Sequence, residues 1–391
     1  MNLAIQKTLS FILLIGVGLL LKKKISKKEH LGGIKTLILS IALPATIFIA
    51  LLKINIDTSL LVLPVLALGF NLITFMVARY VLPWGGIEAN SPENRTLRML
   101  LPSLAPGLSC FPFIEEYLGE ESLAWAALAD VGNKVFVLII LYLVAMNWFN
   151  QLYNTEKDNV SDNRLKGLVM SLLQEPVNLV IVTAVVMLSF GLNMTLFPTF
   201  IQEAISRMSL LMTPLILVFI GLAVKVKWGE IKMILSLLLL RSGFAFMLSA
   251  ILLLIHPIAS ISAALVTVIF PQSACSFWPF AHMSAIEHLE SRRSKEEQTT
   301  TGRTFDTALA LNVLAFSLPF STTLILIICS VRKFFIQPTH LLILAGAMFI
   351  LATVPNLIQR LSKSTVSEEK DEVDADTIDP APVTQYQEAK N

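Results

Sequence analysis

The chain has 391 residues, 55% hydrophobic and 15% charged, and its mean hydropathy is +0.71. A soluble chain of this length would form two or three domains, and this composition holds too little polar surface to cover them. The 30 basic and 28 acidic side chains exclude a strongly basic nucleic-acid binder, and Cys110, Cys275 and Cys329, all within apolar runs, exclude a disulfide framework or a zinc spacing. An all-α polytopic membrane protein remains.

At about 1.5 Å per residue, a bilayer core of about 30 Å needs about 20 apolar residues per helix. In chain order the apolar stretches cover 3–21, 31–52, 59–82, 98–118, 121–147, 170–194, 207–224, 232–255, 259–283, 304–330 and 339–359, which predicts eleven spans. Prolines interrupt the fourth and the ninth. The first apolar run is followed, not preceded, by its charge cluster, so no cleavable signal peptide is expected. That cluster, Lys22, Lys23, Lys24, Lys27 and Lys28, places the first loop in the cytoplasm. With loops alternating from there, the predicted cytoplasmic segments carry 22 Lys and Arg and the outer segments 5. The expected topology in the cytoplasmic (inner) membrane is therefore N-terminus outside and C-terminus inside. Residues 361–391, with eight acids, three lysines and no apolar period, read as a disordered acidic cytoplasmic tail.

Two landmarks recur at nearly one spacing. Pro44 in span two and Pro214 in span seven each precede an apolar run, 170 residues apart. Span four reads Pro106-Gly107-Leu108-Ser109-Cys110-Phe111-Pro112-Phe113, and span nine reads Pro271-Gln272-Ser273-Ala274-Cys275-Ser276-Phe277-Trp278-Pro279-Phe280. In each a proline lies four residues before a cysteine and a Pro-Phe pair follows, with an offset of 165. Proline is common in membrane helices generally, which alone can place one in a span. The agreement of two landmarks predicts a first five-helix repeat over 1–147, a cytoplasmic linker over 148–169, a second repeat over 170–330, and an additional transmembrane helix over 331–360. Five is odd, so the repeats are expected to be inverted. Inverted repeats with paired broken helices are the build of secondary transporters, where freed backbone groups line a midplane cavity and half-helix N-termini favour an anion.

The residues also resemble a known family, the auxin efflux carrier family of permeases, which includes bacterial malate and malonate carriers. The resemblance covers about residues 8–330. It rests on Ala42-Leu43-Pro44-Ala45, on the broken span four ending in Tyr117-Leu118-Gly119, on Glu175-Pro176 opening span six, on Thr213-Pro214-Leu215 leading to Ile220-Gly221-Leu222, and on the Pro271 region with the Thr-rich loop after it. It implies a fold like that of bile-acid sodium symporters and sodium/proton antiporters, with crossover helices in a mobile domain that moves like an elevator. The sequence departs from the family at Pro106-Gly107-Leu108-Ser109-Cys110, where an Asn-Thr-Gly-like stretch is usual, and in its eleventh span.

Ionisable residues at mid-depth are costly and so are candidates for function. Asp130 lies about 12 Å into span five, Lys134 one turn further on the same face, and Arg241 about 13 Å into span eight. Asn312 in span ten, in Leu-Asn-Val against the Ala-Asp-Val of Asp130, is the expected repeat partner, whereas Asp306 is expected to cap its helix. Asp130, Asn133, Lys134 and Asn312 form the candidate coupling group, with Lys134 in the place of a coupling cation or Asp130 carrying a proton; the alternative is a purely structural ion pair. Arg241 is expected either to bind a substrate carboxylate through its fork or to bond backbone carbonyls at a helix break. With it, Pro106, Gly107, Ser109, Cys110, Pro271, Gln272, Ser273 and Cys275 form the candidate substrate site. Asn71 and Thr74 read as helix–helix glue.

No phosphate loop for primary transport, no paired intramembrane aspartates of a protease and no Arg-rich voltage sensor is present in the sequence, and His282 and His288 fall on different helix faces. The expected function is thus not enzymatic. It is secondary transport of a small organic anion, without a bound cofactor, with proton or sodium as candidate coupling ions and a homodimer as an open assembly. The alternative is a membrane sensor or scaffold on the same fold that does not transport.

Overall fold

The computed structural model describes residues 3–25, 27–53, 60, 62–153, 170, 176–223, 231–291 and 302–353. The expected linker, the Thr-rich loop before Gly302 and the acidic tail lie outside the described residues, as does Glu175. Every regular element among the described residues is helical. In chain order they are α1 (Leu3–Leu21), α2 (Glu29–Leu52), α3 (Val62–Trp84), α4 (Pro92–Leu100), α5 (Phe111–Leu118), α6 (Glu120–Leu152), α7 (Pro176–Ser189), α8 (Thr199–Leu222), α9 (Ile231–Ile255), α10 (Ile261–Ile269), α11 (Trp278–Ser291), α12 (Thr307–Ser330) and α13 (Pro338–Thr353). Six of these, α2, α3, α6, α8, α9 and α12, are long and apolar enough to cross a bilayer unaided.

The fourth and ninth predicted spans are each two pieces. Between α4 and α5 the chain leaves the helix at Leu101, makes one short turn over Pro106–Ser109, and resumes at Phe111. Between α10 and α11 a single tight turn, Phe270–Gln272, gives way to extended chain before Trp278. Proline explains both breaks. Pro102, directly after Leu101, and Pro271 supply no N–H, and their rings exclude the carbonyl one turn earlier, while Pro106 opens the short turn at its first position.

Pro44 is accommodated differently. The turn before it widens into a π-turn over Ile38–Ala42, where the Leu43 N–H bonds Ile38 O five residues back, so α2 stays continuous. A second π-turn, Phe136–Ile140, follows Asp130 and Lys134 in α6. Such insertions often mark functional positions in helices. Two boundaries differ from the hydropathy reading. α8 starts at Thr199 rather than 207, because Pro198 stops the chain behind it and an exposed Glu203–Arg207 pair supports the polar turns that follow. The helical part of span six ends at Ser189, where Gly191 adopts φ +70°.

Packing follows a reciprocal pattern. α1 lies along the second half of α8, and α7 lies along the second half of α2. α3 and α5 pack on the first half of α6, α11 on its second half, and α12 on α4 and α9. Glycine lets two of these pairs touch backbone to backbone. A side chain at Gly18 or Gly221 would run into the other helix, and one at Gly132 would run into the Pro64 carbonyl. In membranes, where hydrocarbon burial gives no net drive, such close small-residue contact is what holds helices together. The buried apolar residues form two clusters. One holds Leu104, Phe111 and Phe270, and the other holds Leu101, Phe136 and Cys275. Both breaks therefore fall where the two cores meet.

Candidate functional site

The two breaks complete each other's backbone. The Ala105 N–H donates to Ala274 O at 2.8 Å. The Ala274 N–H donates to Ser109 Oγ at 2.9 Å, and the Ser276 N–H to Ser103 Oγ at 3.0 Å. The Cys275 N–H turns to Ser317 Oγ on α12 at 3.2 Å. Unpaired peptide groups buried away from water cost several kcal/mol each, and a serine hydroxyl is short enough to meet them without filling the crossing. Ser109 and Ser103 accept these bonds while donating back to Ala105 O and Leu100 O on their own chain.

Arg241 fastens the two breaks from α9. Its side chain is 4% exposed. Nε donates to Leu101 O at 2.7 Å, and Nη2 donates to Ser273 O at 2.7 Å and to Ser103 O at 3.3 Å. Nη1 has no partner among the described residues. Of the two roles open to Arg241 from sequence, this geometry is the clamp on backbone carbonyls. Beside it the Gln272 amide donates to Ser242 O at 3.1 Å, and its Oε1 has no partner among the described residues.

A second polar knot secures the first break from α6. Asn133 faces the Leu104 peptide edge to edge, its Nδ2 donating to Leu104 O at 3.0 Å and its Oδ1 accepting from Leu104 N at 3.2 Å. The same Oδ1 accepts from Asn71 Nδ2 on α3 at 3.0 Å, and the same Nδ2 donates to Asp130 Oδ1 at 2.8 Å. Asp130 Oδ2 in turn lies 3.5 Å from Lys134 Nζ, which donates to Asn178 Oδ1 on α7 at 3.3 Å. All five side chains are buried. Their order joins the first break, through Asn133 and the Asp130–Lys134 pair, to α7.

Of the residues expected at the site, Pro106, Gly107, Ser109 and Cys110 lie on the first break and Pro271, Gln272, Ser273 and Cys275 on the second. Ser109, Ser273 and Arg241 enter the shared network directly. Cys110 and Cys275 are both buried thiols. Gly107 meets α2, since a Cβ there would come 2.9 Å from Leu43 Cδ2 and 3.8 Å from Leu39 Cδ2. Asp130, Asn133 and Lys134 form one group. Asn312 sits half-buried in α12, and Asp306 caps that helix through Leu309 N at 2.9 Å. His282 bonds Val137 O across to α6.

Sequence reasoning passed over Ser103, Asn178, Ser276 and Ser317, and gave Asn71 only a packing role. One signal was present for Asn71: it lies 170 residues before Arg241, the same offset as Pro44 and Pro214. An apolar cavity of about 320 Å³ adjoins the second break. Trp125, Phe70, Leu252 and Phe270 are among the residues that line it. Its two hydroxyls are already committed, Thr267 to Ala263 O and Ser249 to Thr267 O.

The chain is similar to an uncharacterized transporter of Methanocaldococcus jannaschii, with 22% identity over 227 residues. The match takes in 54% of this chain and 67% of that one. No family profile matches the chain.

Proposed function

We propose that the chain is a secondary active transporter of a small organic anion, built on two inverted repeats and working by an elevator-like exchange of access. The observation that carries this reading is the mutual pairing of the two breaks, Ala105 with Ala274, Ser109 with Ala274 and Ser103 with Ser276. Non-helical backbone in a membrane is tolerated only against protein or a water-filled path, and transporters place their sites there. The membrane-helix pattern and the likeness to an archaeal transporter support a transporter. The packing of α1 on α8 and α7 on α2, each a span from one half on the second or seventh, is what two inverted copies produce. Membership of the auxin efflux carrier family is part of the same proposal and rests on the motifs quoted above.

In this reading α1, α2, α7 and α8 form a stationary frame, and the helices around the crossing move against it. The Asp130–Lys134 pair sits between the first break and α7 of that frame, so Lys134 holds the position of a coupling cation. Counterflow tests the proposal: proteoliposomes loaded with unlabelled malonate or malate should take up the labelled compound. A protein that binds either compound and exchanges neither is a sensor on this fold.

A further inference from the structure

Arg241 offers an incoming anion only Nη1, because its other donors hold three carbonyls of the breaks. A second cation, on α2, lies against the same two breaks. Lys35, Leu39 and Leu43 recur at four-residue spacing along α2 and share one face. Leu39 and Leu43 lie against Gly107 of the first break. Lys35 is one turn nearer the cytoplasmic end and reaches the other break, its Nζ 4.4 Å from the centroid of the Phe277 ring. Phe277 directly follows Ser276, whose N–H is bonded to Ser103 Oγ. Lys35 is half-buried, about 9 Å along α2 from Glu29, and no acid pairs with it among the described residues. The face of a ring compensates a buried ammonium only in part. A lysine that served the lipid surface would extend toward the headgroups, whereas this one lies back over the ring of Phe277, itself 48% exposed and so open to a ligand.

We propose that Lys35, seated on Phe277, is the cytoplasm-facing binding site for the carboxylate of the transported anion, with Arg241 serving as a positioning residue for the two breaks. This inference rests on the anion-carrier reading. It adds that the charge recognising the substrate belongs to α2, so that release accompanies separation of α2 from the second break.

Calorimetric titration of sodium malonate and sodium malate into the full chain, held in nanodiscs of phosphatidylcholine alone, tests it. The wild type should bind at least one of the two. Lys35→Met should weaken that binding about tenfold or more, the loss of one charge-assisted bond, while Lys35→Arg stays within about threefold. Both variants should melt with the wild type, and Lys35→Gln gives the same readout at a more polar side chain. Unchanged binding by the Met and Gln variants, or no binding of either compound by the wild type, overturns the proposal. Wild-type binding that depends on Lys35 without counterflow in proteoliposomes keeps the Lys35 site and removes the carrier reading.

Discussion

Asn133→Ala is the most informative single change at the crossing. The substitution removes four bonds at once: two to the Leu104 peptide, one from Asn71 and one to Asp130. Asn133 is 1% exposed, Asn71 fully buried and Leu104 1% exposed, so water has no ready route to the orphaned groups. Interhelical hydrogen bonds in membranes average about 0.6 kcal/mol, which sets a floor of about 1.8 kcal/mol for the three bonds that leave α6. Counting instead the peptide N–H, the peptide C=O and the Asn71 amide as stranded at about 1–3 kcal/mol each raises the figure to about 3–9 kcal/mol. A loss of about 3–5 kcal/mol, between these two bounds, is the expected outcome. Asn133→Asp separates packing from polarity. It keeps the shape but can donate nothing to Leu104 O and brings a second carboxylate against Asp130, so it should be at least as damaging. The assay is thermal melting of detergent-purified protein followed by size-exclusion fluorescence. If Asn133→Ala melts within about 1 °C of the wild type, a shift worth about 0.8 kcal/mol for a chain of this length and far below the expected loss, Asn133 does not hold the first break.

Three further outcomes follow from the packing. Gly132→Ala should abolish well-folded protein, since its Cβ would meet the Pro64 carbonyl and force α3 from α6; normal yield and melting would show that those backbones are not in contact. Asp130→Asn and Lys134→Met should each destabilise by about 3–5 kcal/mol through an uncompensated buried partner, and the double change should regain most of it; under the carrier reading the double variant still exchanges substrate but fails to concentrate it, as read by tracer uptake with and without an imposed gradient. Cysteine placed at Lys23 should be labelled by an impermeant thiol reagent only from the cytoplasmic side and cysteine at Lys53 only from outside, against a low background because the native thiols are buried; outside labelling at 23 in intact cells would reverse the topology.

The spans were legible because apolar runs of bilayer length have few alternative readings, and the breaks because prolines cluster there, Pro102, Pro106 and Pro112 in one and Pro271 and Pro279 in the other, whereas a lone proline such as Pro44 or Pro319 leaves its helix continuous. The partners of the breaks were not. Ser103, Ser109, Ser276 and Ser317 are single hydroxyls in apolar surroundings, and a serine in a membrane helix usually bonds the carbonyl four residues back. Only the fold shows that Ser103 and Ser109 also accept from the second break. Arg241 stood out by charge, yet its direction could not be read, since a fork suits carboxylates and paired carbonyls alike. Asn178 follows Pro176 closely and looks like a helix-start residue; its bond to Lys134 depends on where α7 meets α6. The early start of α8 was hidden for a different reason. Its first turns are polar, and a hydropathy ruler ends where the bilayer does, not where the helix does.

The mutual completion of the two breaks constrains how the chain can be made. Ser109 leaves the ribosome 165 residues ahead of Ala274, an interval of about 8–33 s at ordinary elongation rates of about 5–20 residues/s. For that time the first break has no opposite strand, and its open peptide groups are of the kind that lipid does not tolerate. The half-made protein must therefore keep its fourth span beside the insertion machinery or in contact with water. Truncations between the two breaks should accordingly be held by the translocon or degraded rather than released as stable five-span fragments.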